Sequence, residues 1–128
     1  MNKQEAFNKA WRGVVKQGKK SRADEGECRY KMIDADGKEL RCGVGHLLTD
    51  EQLSLLGSMN PPAGLGLMIF LDDTLIDGDE REAHHFLYEL QKAHDDVGHA
   101  GGEAFIKEFK ERMSDLAADA GLTIPTDI

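Results

Sequence analysis

Both cysteines of the chain and one of its five histidines lie in residues 28–46, CRYKMIDADGKELRCGVGH, around a single Asp36-Gly37 pair. Thiols and imidazoles at such spacing could close a disulfide, hold zinc, or form a Cys–His nucleophile. A calcium loop is excluded. Setting Gly37 at the sixth position of an EF-hand places Met32 first and Gly43 twelfth, where carboxylates are required.

Which chemistry is available depends on register. Asp36-Gly37 between two half-apolar runs signals a hairpin, and a three-residue loop Ala35-Asp36-Gly37 sets Asp34 opposite Lys38. Cys28, Tyr30 and Met32 then share a face with Leu40, Cys42 and Val44, while Arg29, Lys31, Glu39 and Arg41 point the other way. Ile33 is the main exception to this separation. Cys28 and Cys42 become diagonal neighbours about 7–8 Å apart, at or beyond the span of a disulfide.

Zinc could take Cys28, Cys42, His46 and His94, since thiolate and imidazole suit it. Cys42 and His46 can share a metal only if the strand stops at Cys42 and folds back through Gly43-Val44-Gly45, because an extended chain carries them about 13 Å apart. A nucleophilic Cys42 or Cys28 would need His94 as base and Asp95 or Asp96 to orient its ring. Adjacent helix residues point about 100° apart, so Asp95 is not expected to hold His94 from the same helix. Against both stands plain packing, with the cysteines as small hydrophobes and His94 as a hydrogen-bonded core residue. Gly43, Gly45, Gly64 and Gly66 could bring backbone N–H groups to an anionic ligand, although no P-loop follows them. His84 and His85 read as surface, and His99 sits in a glycine loop.

The elements that must position these groups are legible in part. Asn2 and Glu5 mark a helix start, and Phe7, Ala10, Trp11, Val14 and Val15 recur on one face, predicting a helix over about 3–17. Residues 19–27 read as a solvated connector. Thr49-Asp50-Glu51-Gln52 is a capping box opening a short helix that Gly57 stops. The apolar run 65–71 fits a buried loop, a short strand or a helical turn. Asp77 or Asp79 caps a helix to about Asp95 with Ala83, Phe86, Leu87, Leu90 and His94 inward, and a last helix over about 103–120 carries Phe105, Ile106, Phe109, Met113, Leu116 and Ala117. The expectation is a single α+β domain over 1–122, about four helices packed with one hairpin, and a loose tail over 123–128.

The 128 residues suffice for one hydrophobic core without staples. With 16 Lys and Arg against 24 Asp and Glu, the net charge of −8 argues against nucleic-acid binding and is compatible with a basic surface on another protein. No apolar run approaches a membrane span and no signal-peptide pattern opens the chain, so a cytoplasmic protein with reduced cysteines is expected.

Cys28-Arg29-Tyr30, the Asp36-Gly37 turn, Arg41-Cys42-Gly43-Val44-Gly45-His46-Leu47-Leu48-Thr49-Asp50 and Leu90-Gln91-Lys92-Ala93-His94-Asp95 together resemble a family of small proteins of uncharacterised activity found largely in tailed phages and some bacteria. The likeness covers about residues 5–120. This chain has Gly43 where that family's pattern has alanine, and Arg41 where lysine is usual. The resemblance implies a phage origin, with Cys28, Tyr30, Cys42, His46 and His94 in one shared site. Gly45 and Asp95 complete the candidate set. The expected function is a non-enzymatic binding module without metal or cofactor, a phage accessory or counter-defence protein that takes a host protein or a small anionic nucleotide-like ligand. Homo-oligomerisation is compatible with this reading. The alternatives are a small Cys/His-dependent hydrolase or transferase and a structural zinc protein.

Overall fold

A computed structural model of the chain describes residues 1–22, 29–57 and 59–128. The first helix, α1 (Lys3–Gln17), starts at Asn2, whose side chain accepts from the N–H of Glu5 at 2.8 Å, and ends at Gly18 with φ 75°. Both ends follow from the residue types: an Asn oxygen satisfies a first-turn amide, and glycine takes the left-handed cap without a Cβ penalty.

Strands β1 (Lys31–Ile33) and β2 (Glu39–Arg41) pair antiparallel as Lys31 with Arg41, Met32 with Leu40 and Ile33 with Glu39, the register expected of a three-residue loop. The turn is held by Asp34, whose Oδ1 accepts from the N–H groups of Asp36 and Lys38, both at 2.9 Å, and by Gly37 at φ 81°. Leu40 faces the core, whereas Ile33 is exposed, as its break from the pattern implied. The charged face closes on itself through Lys31–Glu39 at 3.2 Å and Arg41–Glu39 at 3.0 Å.

The strand stops at Arg41 and the chain turns through a 3₁₀ segment, Val44–Leu47. Helix α2 (Asp50–Leu56) follows its complete capping box at Thr49 and Gln52 and stops at Gly57. Residues 65–71, left open by the sequence, form helix α3 (Leu65–Leu71). Seven apolar residues span two turns and show no polar side from which a period could be read. Tertiary packing decides the matter: Leu67 and Met68 are buried, and Gly64, where a Cβ would come within 2.9 Å of the His84 carbonyl oxygen, allows the start of α3 to press on the next helix. That helix, α4 (Glu80–Asp95), is capped by Asp79, and α5 (Gly102–Ala120) ends at Gly121. The described residues thus contain five α-helices rather than about four.

Helices α1, α4 and α5 pack on one another, and the 3₁₀ turn rests on α1 and α4 and carries the hairpin. Two further expectations are corrected. The start of the supposed solvated connector is tertiary structure: Lys20 and Ser21 are buried, and the Lys20 N–H donates to the Ala100 carbonyl at 2.8 Å. Residues 23–27 lie outside the described part. The tail 123–128 is docked rather than loose, because the Trp11 Nε1 donates to the Ile128 carbonyl at 3.1 Å, Arg12 pairs with Asp127 at 3.2 Å and Gln4 bonds Thr123. A single indole reaching a backbone carbonyl more than a hundred positions away carries no local sequence signal.

Candidate functional site

The centre of the candidate set is His94, fully buried on the inward stripe of α4. Its Nδ1 lies 2.7 Å from Asp95 Oδ1, and its Nε2 accepts the backbone N–H of Ser21 at 3.2 Å. An Nε2 that accepts carries no proton, so the proton sits on Nδ1 and is donated to Asp95. The expectation that Asp95 would not hold this ring from the same helix is therefore corrected. The 100° offset between neighbouring helix residues matters less for Nδ1, which lies one bond from the ring's attachment carbon and close to the helix surface.

Gln91, one turn earlier on α4, completes the arrangement. Its Nε2 donates to Asp95 Oδ1 at 2.7 Å and its Oε1 accepts the N–H of Val44 at 3.2 Å. Ser21 bonds onward through its hydroxyl to the Arg29 carbonyl at 2.7 Å. Lys20 extends its ammonium into the same end of α4, donating to the carbonyls of Asp95 at 2.7 Å and Val97 at 2.6 Å, where a cation satisfies the last carbonyls and the negative end of the helix dipole. One buried polar network thus joins the segment after α1, the 3₁₀ turn and α4. Sequence reasoning passed over Lys20, Ser21 and Gln91. Only Gln91 carried a signal, since it lies on the inward stripe with Leu87, Leu90 and His94.

Cys42 and Tyr30 are both buried. The sulfur of Cys42 accepts the N–H of Gly45 at 3.3 Å, and the Tyr30 hydroxyl donates to the Pro61 carbonyl at 2.6 Å. Burial raises the Tyr30 phenol well above its ordinary value, with the negative charge available to Cys42 and Asp95 adding to the effect. Cys28 lies outside the described residues, and so does its relation to Cys42. Among the described residues no three His, Cys, Asp or Glu side chains are grouped to hold a metal ion.

The glycines do not form an anion nest at the 3₁₀ turn. The N–H groups of Val44, Gly45 and His46 are spent on Gln91 Oε1, Cys42 Sγ and the Cys42 carbonyl respectively. Gly45, expected beside a ligand, is instead packed against backbone: a Cβ there would overlap the Tyr30 carbonyl oxygen. Gly43 is nearly as close to α4, with a built Cβ 3.0 Å from the Leu90 carbonyl oxygen and 3.8 Å from His94 Cβ. At that spacing alanine would press on the α4 backbone unless the turn and helix moved apart by a few tenths of an ångström.

The fold-back that could have brought His46 to Cys42 does occur, but the ring goes elsewhere. It lies on α1 at Gly13, where a Cβ would collide with it. Its Nε2 is buried without a hydrogen-bond partner. Burial first, then the charge of Arg41, lower its pKa from 6.5 to about 4, and the Glu39 carboxylate and a hydrogen bond to the Arg41 backbone only partly offset this.

That displacement predicts an acid-sensitive fold. Between pH 6.5 and about 4 the unfolded chain binds a proton at His46 that the native protein does not. Stability from this group is full above pH 6.5 and falls through the window, by on the order of 2 kcal/mol given partial solvent screening. Urea unfolding of wild type and His46→Leu from pH 7 to 4 checks this: the variant's loss over that range should be the smaller, and parallel losses would contradict it.

His84 and His85 stand near the surface of α4, with His85 exposed 3.9 Å from Glu89, and His99 is exposed as well. The cleft beside Tyr30, about 210 Å³, is lined by Arg29, Lys31, Ser54, Met59 and Asn60 among others. It is smaller than the roughly 300–1,000 Å³ of most small-molecule sites. Among the described residues no helix is long and apolar enough to cross a membrane. Comparison with protein-family models, with curated proteins and with solved structures finds no match to this chain.

Proposed function

We propose that this protein is a non-enzymatic binding module whose partner is another protein, in the manner of a phage accessory or counter-defence protein acting on a host component. The observation that carries the reading is the state of His94. Both of its ring nitrogens are engaged inside the core, and Cys42 beside the 3₁₀ turn is 0% exposed. A base must offer a free lone pair to its nucleophile, and a nucleophile must meet substrate. Neither condition fits a ring and a sulfur that serve to join elements. The small anionic ligand is the weaker of the two partner classes, because the N–H groups of Val44, Gly45 and His46 at the turn are already bonded.

Two measurements test the proposal together. Alkylation by iodoacetamide, followed by mass spectrometry of the Cys42 peptide, should be slow in the native protein at neutral pH and become fast only on unfolding. Calorimetric titration against host proteins and cyclic nucleotides should give heats with the former. Rapid native alkylation of Cys42, or turnover of ester, amide or phosphoester substrates that Cys42→Ser abolishes, would overturn the module in favour of a cysteine-dependent enzyme.

A further inference from the structure

Between Cys42 and Glu80 the chain contains no Lys or Arg and seven Asp or Glu, whereas the rest of it is close to neutral, with 16 cationic and 17 acidic side chains. Nearly all the net charge therefore belongs to the segment that builds α2 and α3. The same segment exposes most of the large apolar side chains at the surface: Ile69 is 70% exposed, Leu55 68% and Met59 57%, and Leu65 and Phe70 are exposed too. These side chains lie on outward faces that the domain does not use, since Leu53 and Leu56 of α2 and Leu67 and Met68 of α3 already fill the core.

The two helices are tied at one end. Gln52 Nε2 donates to Asp73 Oδ2 at 3.3 Å, tying α2 to the chain that leaves α3. Leu55 is one turn beyond Gln52, Ile69 is one turn before Asp73, and Leu65 lies on the same face of α3 at i, i+4 from Ile69. Asp50, Glu51, Asp72 and Asp73 stand at the start of α2 and the end of α3 and are exposed, Asp50 being paired with Arg41 at 3.1 Å.

Arg41 on Asp50 and the Arg29–Lys31 side of Met59 aside, the charged residues next to Leu55, Ile69 and Phe70 in the chain are acidic; an exposed apolar surface with such a border marks an interaction site, and the charge states the complement. A second copy would bring two acidic edges together, and an anionic membrane surface would be repelled in the same way. We propose that the outward faces of α2 and α3 dock a basic amphipathic segment of a partner protein, its apolar stripe on Leu55, Leu65, Ile69 and Phe70 and its flanking Lys and Arg on the acidic edge. This deepens the binding-module reading and rests on it.

The probe is a labelled amphipathic peptide of about 18 leucines and lysines, with a leucine–glutamate peptide of the same pattern, followed by fluorescence anisotropy. Wild type should bind the lysine peptide at least about tenfold more tightly than the glutamate one, and less tightly as salt is added. Leu55→Ser/Ile69→Ser and, separately, Glu51→Gln/Asp72→Asn should each weaken it by about tenfold, while the charge-matched Glu103→Gln/Asp119→Asn should not. All positions are exposed, and urea unfolding confirms that the variants fold. Equal binding of both peptides, or undiminished binding by Leu55→Ser/Ile69→Ser, would overturn the docking surface. So would a dimer in sedimentation that Ile69→Ser dissolves, or a preference for anionic vesicles over the lysine peptide. None of these results involves turnover, so loss of the surface is distinguishable from loss of the binding-module reading, which falls to Cys42-dependent catalysis.

Discussion

Gly45→Ala is expected to cost the protein about 3 kcal/mol or more, the largest effect of any single methyl added to it. The new Cβ would overlap the Tyr30 carbonyl oxygen and come within 3.2 Å of Arg41 Cβ. The first obstacle is backbone, which cannot rotate away as a side chain can. The Tyr30 carbonyl sits just before β1, so relief requires the hairpin to part from the 3₁₀ turn, at the expense of Tyr30 burial and its hydrogen bond to Pro61. Gly37→Ala is the informative comparison. Gly37 has φ 81° but nothing within 4 Å of its built Cβ, so alanine there meets only backbone strain of about 1–2 kcal/mol. Urea midpoints for both variants at constant m decide the point. If Gly45→Ala were no more destabilised than Gly37→Ala, the close packing of hairpin and turn would be refuted.

Replacement of His94 by leucine should cost about 2–4 kcal/mol, although the two side chains are similar in size. The variant keeps an apolar group in the core but leaves the Ser21 N–H without its acceptor in a buried site and removes one of the donors to Asp95. It also removes the imidazole that stands edge-on to Phe105 at a centroid distance of 6.2 Å. Asp95→Asn should be much milder, about 1 kcal/mol or less, because an amide oxygen still accepts and this side chain is 33% exposed. The contrast tests the role assigned to the ring. A joint between elements makes His94→Leu a stability variant, read in the urea midpoint and in lost hydrogen-exchange protection at the Ser21 amide. A catalytic base would leave stability nearly unchanged when replaced. Wild-type stability in His94→Leu would therefore remove the ground for regarding the network as structural.

The features that emerge from sequence are those with a local cause. Asn2, Thr49 with Gln52, Asp79, Gly18, Gly57 and Gly121 bound their helices because a cap is decided within one turn of chain. The hairpin register followed from Asp36-Gly37 and from alternation, since a shift of one residue would have exchanged the charged and apolar faces. The inward position of His94 followed from helical period in the same way.

Local chain chemistry thus determined the helix limits, the hairpin pairing, the acidic balance and the burial of the imidazole. Only the tertiary structure decided that α3 is helical, that Lys20 and Ser21 enter the core, that the tail docks on α1, and that His94 is spent on Ser21 and Asp95. In each of those cases the deciding partner is a surface or a polar atom brought in from elsewhere in the chain, or, for Asp95, a reach set by ring geometry. Periodicity reports which way a side chain faces, but not what it meets there.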